Sequence, residues 1–302
     1  MFDILIKAST FVLAVILGYY FKVKGTVTTE QGKAISKLVV NVTLPAALLM
    51  SAKSIQISLF LLIPMGLALL GNFLMLAAGY VRGRQADSVR KAQETIQLAG
   101  YNIGNFAFPF VQSFFPASYL IYVILFDTGN ALMVFGGNYA VANAVSQVGE
   151  KMSAKDVLKK LFSSVPFCMY LVCFTLSIFQ LQIPRPVLTI AKLAADANPF
   201  LAMFVLGNMV DLQMSKSVFK ELAELLAIRL SGAASLIILL YMLPIELKIK
   251  HMLTICLLAP IAVLTPLYAQ ELGSDSPTPA NINSLTILSS IILITGFILM
   301  TS

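Results

Sequence analysis

Two short stretches carry the residues best suited to binding a small molecule. The first reads Gly100-Tyr-Asn-Ile-Gly-Asn-Phe-Ala-Phe-Pro109. Asn102 and Asn105 are three apart, so they share a helical face and offer uncharged donors and acceptors there. Gly104 loosens the turn, and Pro109 cannot donate the backbone bond to residue 105. The second reads Leu258-Ala-Pro-Ile-Ala-Val-Leu-Thr-Pro266, where Pro260 interrupts a helix and Thr265 is the polar side chain near the break. If both stretches unwind, the half-helices after Pro109 and Pro260 present free N–H groups and partial positive charge. That suits an anion, most simply a carboxylate. The plainer alternative is that the prolines only kink their helices and the amides pair across them.

Ionisable residues inside apolar runs are costly and therefore functional candidates. Asp127 stands mid-run with Asn130 one turn on, and Asp196 stands beside Asn198 and Pro199. Asp127, Asn130 and Asp196 are the candidates for holding a coupling ion, with H⁺ and Na⁺ both open. Arg229 is also inside an apolar run, where pairing with an acid for structure alone is the alternative. Asp211 and Glu271 fall at run ends and are expected to face water. Asn143, at the end of another run, is expected to take no part.

The elements that must position these residues are membrane helices. Of 302 residues, 58% are hydrophobic and 12% charged. A soluble domain carries about 25% charged residues, so this chain cannot cover a globule with polar side chains. The apolar runs are continuous rather than alternating, which disfavours a β-barrel. No glycine-rich phosphate loop, nucleophile elbow or His-rich cluster is present, so no enzyme, metal site or cofactor is expected. The three cysteines (Cys168, Cys173, Cys256) lie in apolar runs and read as small buried residues, and His251 reads as an interface residue at a helix start. The net charge of +7 comes from residues in loops, which points to topology and not to nucleic acid.

Runs long enough to span a bilayer number ten: 4–21, 33–52, 59–80, 93–115, 118–143, 161–180, 187–212, 219–243, 250–271 and 280–300. The first reads as a spanning helix and not a cleaved leader. Fourteen Lys and Arg follow runs 1, 3, 5 and 7, Lys216 among them, against six on the other side, including Lys53. The positive-inside rule then places both termini outside the cytoplasm and Ser146–Lys160 within it. Five runs precede that loop and five follow, so residues 1–145 and 161–302 form two five-helix repeats flanking the 146–160 loop. An odd number per repeat inverts the second, as in many secondary transporters. Pro45 and Pro199 occupy similar places in runs 2 and 7. Runs 4 and 9 carry the interruptions in corresponding positions, the better pointer to a binding site.

These motifs resemble the auxin efflux carrier family, which includes plant PIN carriers and bacterial malate and malonate permease-like proteins. Ser36 through Leu49 is similar to the family's S-x-L-V-x-N-x-x-L-P-x-x-L pattern in its second helix. Asn102, Gly104 and Pro109 match the bacterial N-x-G-x-x-G-x-P pattern, with Ala107 for the second glycine. Asp196-Ala197 and Ala202 through Gly207 are similar to a segment of the plant carriers' seventh helix. Pro260 through Gly273 fits the family's ninth-helix ending without a gap. Two positions depart: Leu264 stands where many bacterial members have Asn, and Asn105 where they often have an aromatic.

The resemblance implies an all-α polytopic membrane protein with the bile-acid sodium symporter-like fold. Runs 1, 2, 6 and 7 would form a scaffold. Runs 3–5 and 8–10 would form a transport domain in which the broken helices 4 and 9 cross. It also implies a homodimer and an elevator movement. The reading is a multi-pass plasma-membrane secondary transporter of small organic carboxylate anions, whose partners are that substrate and membrane lipids. The alternatives are a sodium-coupled symporter of a larger amphipathic anion and a membrane ligand sensor. The substrate-binding set is Asn102, Gly104, Asn105, Pro109, Pro260 and Thr265.

Overall fold

The computed structural model describes residues 2–51, 62–210 and 218–301; Lys53, Asp211 and Lys216 lie outside them. Every regular element among the described residues is helical. We number the helices α1 (Phe2–Val23), α2 (Thr29–Ser51), α3 (Leu62–Gly83), α4 (Ser88–Ile96), α5 (Phe108–Phe114), α6 (Ala117–Ser146) and α7 (Ala154–Ser163). They continue with α8 (Val165–Ile178), α9 (Arg185–Met209), α10 (Phe219–Met242), α11 (Leu247–Leu257), α12 (Leu264–Glu271) and α13 (Thr278–Thr301). Among the described residues six helices are long and apolar enough to cross a membrane, or seven if the bent pair α7–α8 is one span. The architecture is that of a polytopic helical membrane protein.

Prolines shape several of these elements. A proline lacks the N–H for the bond four residues back, and its ring crowds that carbonyl. In α2 the chain responds with a wide π-type turn at Val39–Thr43, two residues ahead of Pro45. The same turn recurs at Ile103–Ala107, two residues ahead of Pro109, and leads straight into α5. Run 4 is therefore two pieces, with α4 ending at Ile96 and the gap spanning residues 97–102. The interruption lies before Pro109 and not after it. Run 9 is likewise two pieces, α11 and α12, separated by residues 258–263, which include Pro260.

The sixth run also departs from a single span. Its apolar helix begins at Val165, and α7 before it is bent away by 78°. The loop expected at 146–160 thus contains most of an amphipathic helix, opened by a capping box in which Ser153 and Asp156 satisfy each other's backbone. The Ser153 bonds hold the exposed Asp156 carboxyl below its ordinary range.

Two packing groups form. α1 lies along α9, α9 against α2, and α2 against α8. Gly18 and Gly207 let α1 and α9 touch: a Cβ on Gly18 would stand 1.9 Å from the Phe204 carbonyl oxygen, and one on Gly207 1.9 Å from that of Val15. In the other group α3 packs on α4 and α6, and α10 on α3, α11 and α13. Between the groups, Asn198 of α9 bonds Gln112 of α5 and accepts from Thr43 of α2.

Candidate functional site

The two interruptions meet. The backbone amide of Asn102 donates to the Pro260 carbonyl over 2.8 Å. Thr265 Oγ1 donates to the Ala99 carbonyl at 3.0 Å, a second tie between the gaps. Gly100 turns the chain at φ +86°, a region that L side chains avoid. A buried amide cluster serves the freed backbone groups of the first gap. Asn72 Oδ1 accepts from Gly100 N at 2.9 Å and from Asn138 Nδ2 at 3.0 Å. Asn130 accepts from Tyr101 N at 3.0 Å and donates to the Tyr101 carbonyl at 2.8 Å. In the second gap Thr286 Oγ1 accepts from Ile261 N, and Asn283 Nδ2 donates to the Ile261 and Ala262 carbonyls.

Arg229 of α10 completes the crossing from behind. It is buried, and no acid pairs with it among the described residues. Its guanidinium instead donates to the carbonyls of Leu98 (2.8 Å), Gly100 (3.1 Å) and Ala259 (3.2 Å) and stacks over the Tyr101 ring at 4.2 Å. These carbonyls follow the C-terminal ends of α4 and α11, where helix dipoles are negative. One cation therefore caps both N-terminal half-helices at once. The starting ends of the following half-helices lie on the other side of the crossing from Arg229.

Those ends face a cavity of about 280 Å³. Its wall includes Asn102, Ile103, Gly104 and Asn105 from one break and Ala262, Val263 and Leu264 from the other. No bond among the described residues takes up the amides of Ile103, Gly104 and Asn105. Asn102 is 7% exposed, and among the described residues its Nδ2 has no partner and the buried Asn105 Oδ1 none either. The opposite wall comes from the other packing group, with Val40 and Leu44 of α2 and Ser164, Pro166, Phe167 and Tyr170 at α8. Asp127 of α6 stands between the walls. Its Oδ2 accepts from Tyr170 Oη at 2.5 Å and its Oδ1 from Asn130 Nδ2 at 2.9 Å.

The cavity shares Val40, Phe135 and Ser164 with a wider chamber of about 800 Å³. The chamber is lined by Lys151, Lys159 and Lys160, with Glu150, Asp156 and Glu271 among them.

The structure brings some expected site residues together and not others. Asn102, Gly104, Asn105, Asp127 and Asn130 share the cavity. Thr265 is 3% exposed, with its hydroxyl directed at Ala99, and Pro109 is buried at the start of α5, so neither lines it. Pro260 serves through its carbonyl. Asp196 is on the exposed face of α9, bonded to Lys192 at 2.6 Å, and does not reach the cavity. Asn143 is buried, fixes the loop through Glu150 O and Gly149 N, and does not line the cavity. Sequence reasoning missed Asn72 and Tyr170. Asn72 had the signal used for Asn102, an amide inside an apolar run; a single tyrosine such as Tyr170 had none.

No protein-family model matches the chain. Over 123 residues it is 31% identical to a protein of Methanothermobacter thermautotrophicus named an uncharacterized transporter. The match covers 39% of this chain and 41% of that protein, so the chain spans about two-fifths of the length of the curated relative it matches.

Proposed function

We propose that the chain is a secondary transporter of small organic molecules bearing a carboxylate, built from ten spans in two inverted five-helix repeats. The observation that carries this reading is the pair of broken helices joined at Asn102 and Pro260, with unclaimed donors among the residues that wall a cavity. Transporters place their sites between half-helices at mid-membrane, and free amides at a half-helix start attract negative charge. The transporter named among the relatives and the resemblance to auxin efflux carriers support the same reading.

In this proposal α1, α2, α8 and α9 are the scaffold and the remaining spans the moving unit. The cavity lies between them, and its link to the Lys-lined chamber corresponds to the inward-facing state of an elevator cycle in the plasma membrane, with both termini outside. Asp127 supplies the site for a cation that accompanies the carboxylate. A homodimer through the scaffold belongs to the same reading. That dimer rests on the resemblance to auxin efflux carriers.

Purified protein in liposomes tests the reading. Uptake of labelled carboxylates that depends on the protein is the expected result. Saturable binding with no uptake would instead make the chain a sensor.

A further inference from the structure

The cavity does not have the chemistry of a plain anion site. Its wall carries the carboxylate of Asp127 and, among the described residues, no Lys, Arg or His. The one buried cation nearby, Arg229, lies behind the crossing with donors directed at three carbonyls. The two groups that hold Asp127, Tyr170 and Asn130, are neutral and donate one to each of its oxygens, the pattern that suits a carboxylate. Each carboxylate oxygen keeps a further lone pair. A simple carboxylate would bring a second negative charge into the same cavity, where like charges at close range repel.

The unpaired atoms point the same way. Asn102 Nδ2 and the amides of Ile103, Gly104 and Asn105 are donors without acceptors. Asn105 Oδ1 is an acceptor without a donor. A fitting ligand must both accept and donate, and must carry positive charge to balance Asp127. A 2-hydroxy acid supplies a donor but no charge.

We propose that the substrate is a zwitterionic α-amino acid with an apolar side chain, which rests on reading the cavity as the transport site. Its carboxylate takes Asn102 Nδ2 and the free amides, and its ammonium takes Asp127 and Asn105 Oδ1. An ammonium has three donors, enough for both acceptors. The side chain meets Leu44, Phe135 and Phe167 on the apolar wall. A volume of about 280 Å³ has room for one amino acid.

The test is calorimetric binding to the purified full chain at pH 7. The ligands are L-valine, L-leucine, L-methionine and L-phenylalanine, each beside its 2-hydroxy and its deamino analogue. The expected result is one or more amino acids binding about 10- to 150-fold tighter than both analogues, the value of a hydrogen bond to a charged group. Asp127→Asn should erase that preference. If this variant does not fold, the wild-type ratios decide alone. Analogues that bind as well as the amino acids, and more tightly as pH falls, would overturn the proposal. They would give Asp127 to a proton and leave carboxylate transport standing. No binding from any ligand, including a wider carboxylate panel, would overturn this inference and the transport reading together.

Discussion

The amide nitrogen of Asn102 donates to the carbonyl oxygen of Pro260, 158 positions along the chain, over 2.8 Å. Each unwound segment thereby satisfies part of the other, which answers the problem of irregular backbone at membrane depth. Among the described residues Asn102 Nδ2 finds no partner, and that surplus donor is why the crossing is proposed as a site.

Arg229 holds the crossing from behind, so its loss should be felt as stability. Arg229→Ala leaves the carbonyls of Leu98, Gly100 and Ala259 without their donor in a buried place. An unsatisfied buried group costs about 1–3 kcal/mol, so a loss of about 3 kcal/mol or more is expected. Thermal unfolding in detergent measures it. An unchanged Tm would mean the carbonyls find other donors and Arg229 is not the cap.

Thr265 and Asn102 make a contrasting pair. The Thr265 hydroxyl has an internal partner at Ala99, whereas Asn102 Nδ2 has none. Thr265→Val should cost about 1–2 kcal/mol of stability and shift ligand affinity little. A large affinity loss with normal stability would place Thr265 in the site after all.

The α1–α9 contact depends on the absence of a side chain. Gly207→Leu pushes atoms into the Val15 carbonyl and must part the two helices. Overpacking of this kind costs about 1–3 kcal/mol. The expected result is a lowered Tm and reduced folded yield on size exclusion; a wild-type Tm and yield would contradict the close contact.

Topology can be read at the central loop. Lys155 is exposed on α7, whereas Ser153 caps that helix and should be left intact. Lys155→Cys in a chain lacking its native cysteines should resist a membrane-impermeant maleimide in intact cells and react after permeabilisation. Labelling without permeabilisation would reverse the orientation.

The broken helices were legible because proline and glycine act through the backbone. Pro109 and Pro260 announce lost bonds, and Asn102 and Asn105 stand out in an apolar stretch. The place of the first break was not legible. Pro109 disturbs the turns before it, and Gly100 supplies the left-handed step that only a glycine takes easily. Asp127 and Asp196 look alike in sequence, each in an apolar run near an asparagine. Which one faces the cavity is decided by how α6 and α9 are rotated against their neighbours, and that is a tertiary fact. The partners of Arg229 were hidden for a different reason, since they are backbone carbonyls and leave no trace in residue types. The bend between α7 and α8 fell inside a run that reads as one apolar stretch.

The central claim is that substrate binds at the crossing during transport. The direct measurement is uptake into proteoliposomes by the wild type and by Asn102→Ala, using the amino acids and carboxylates named above. Because Asn102 Nδ2 has no partner among the described residues, the variant should keep the wild-type Tm and its size-exclusion profile. Its half-saturating substrate concentration should rise about 10- to 150-fold, the loss of one hydrogen bond to a charged group. Wild-type uptake by a folded Asn102→Ala protein would contradict the account.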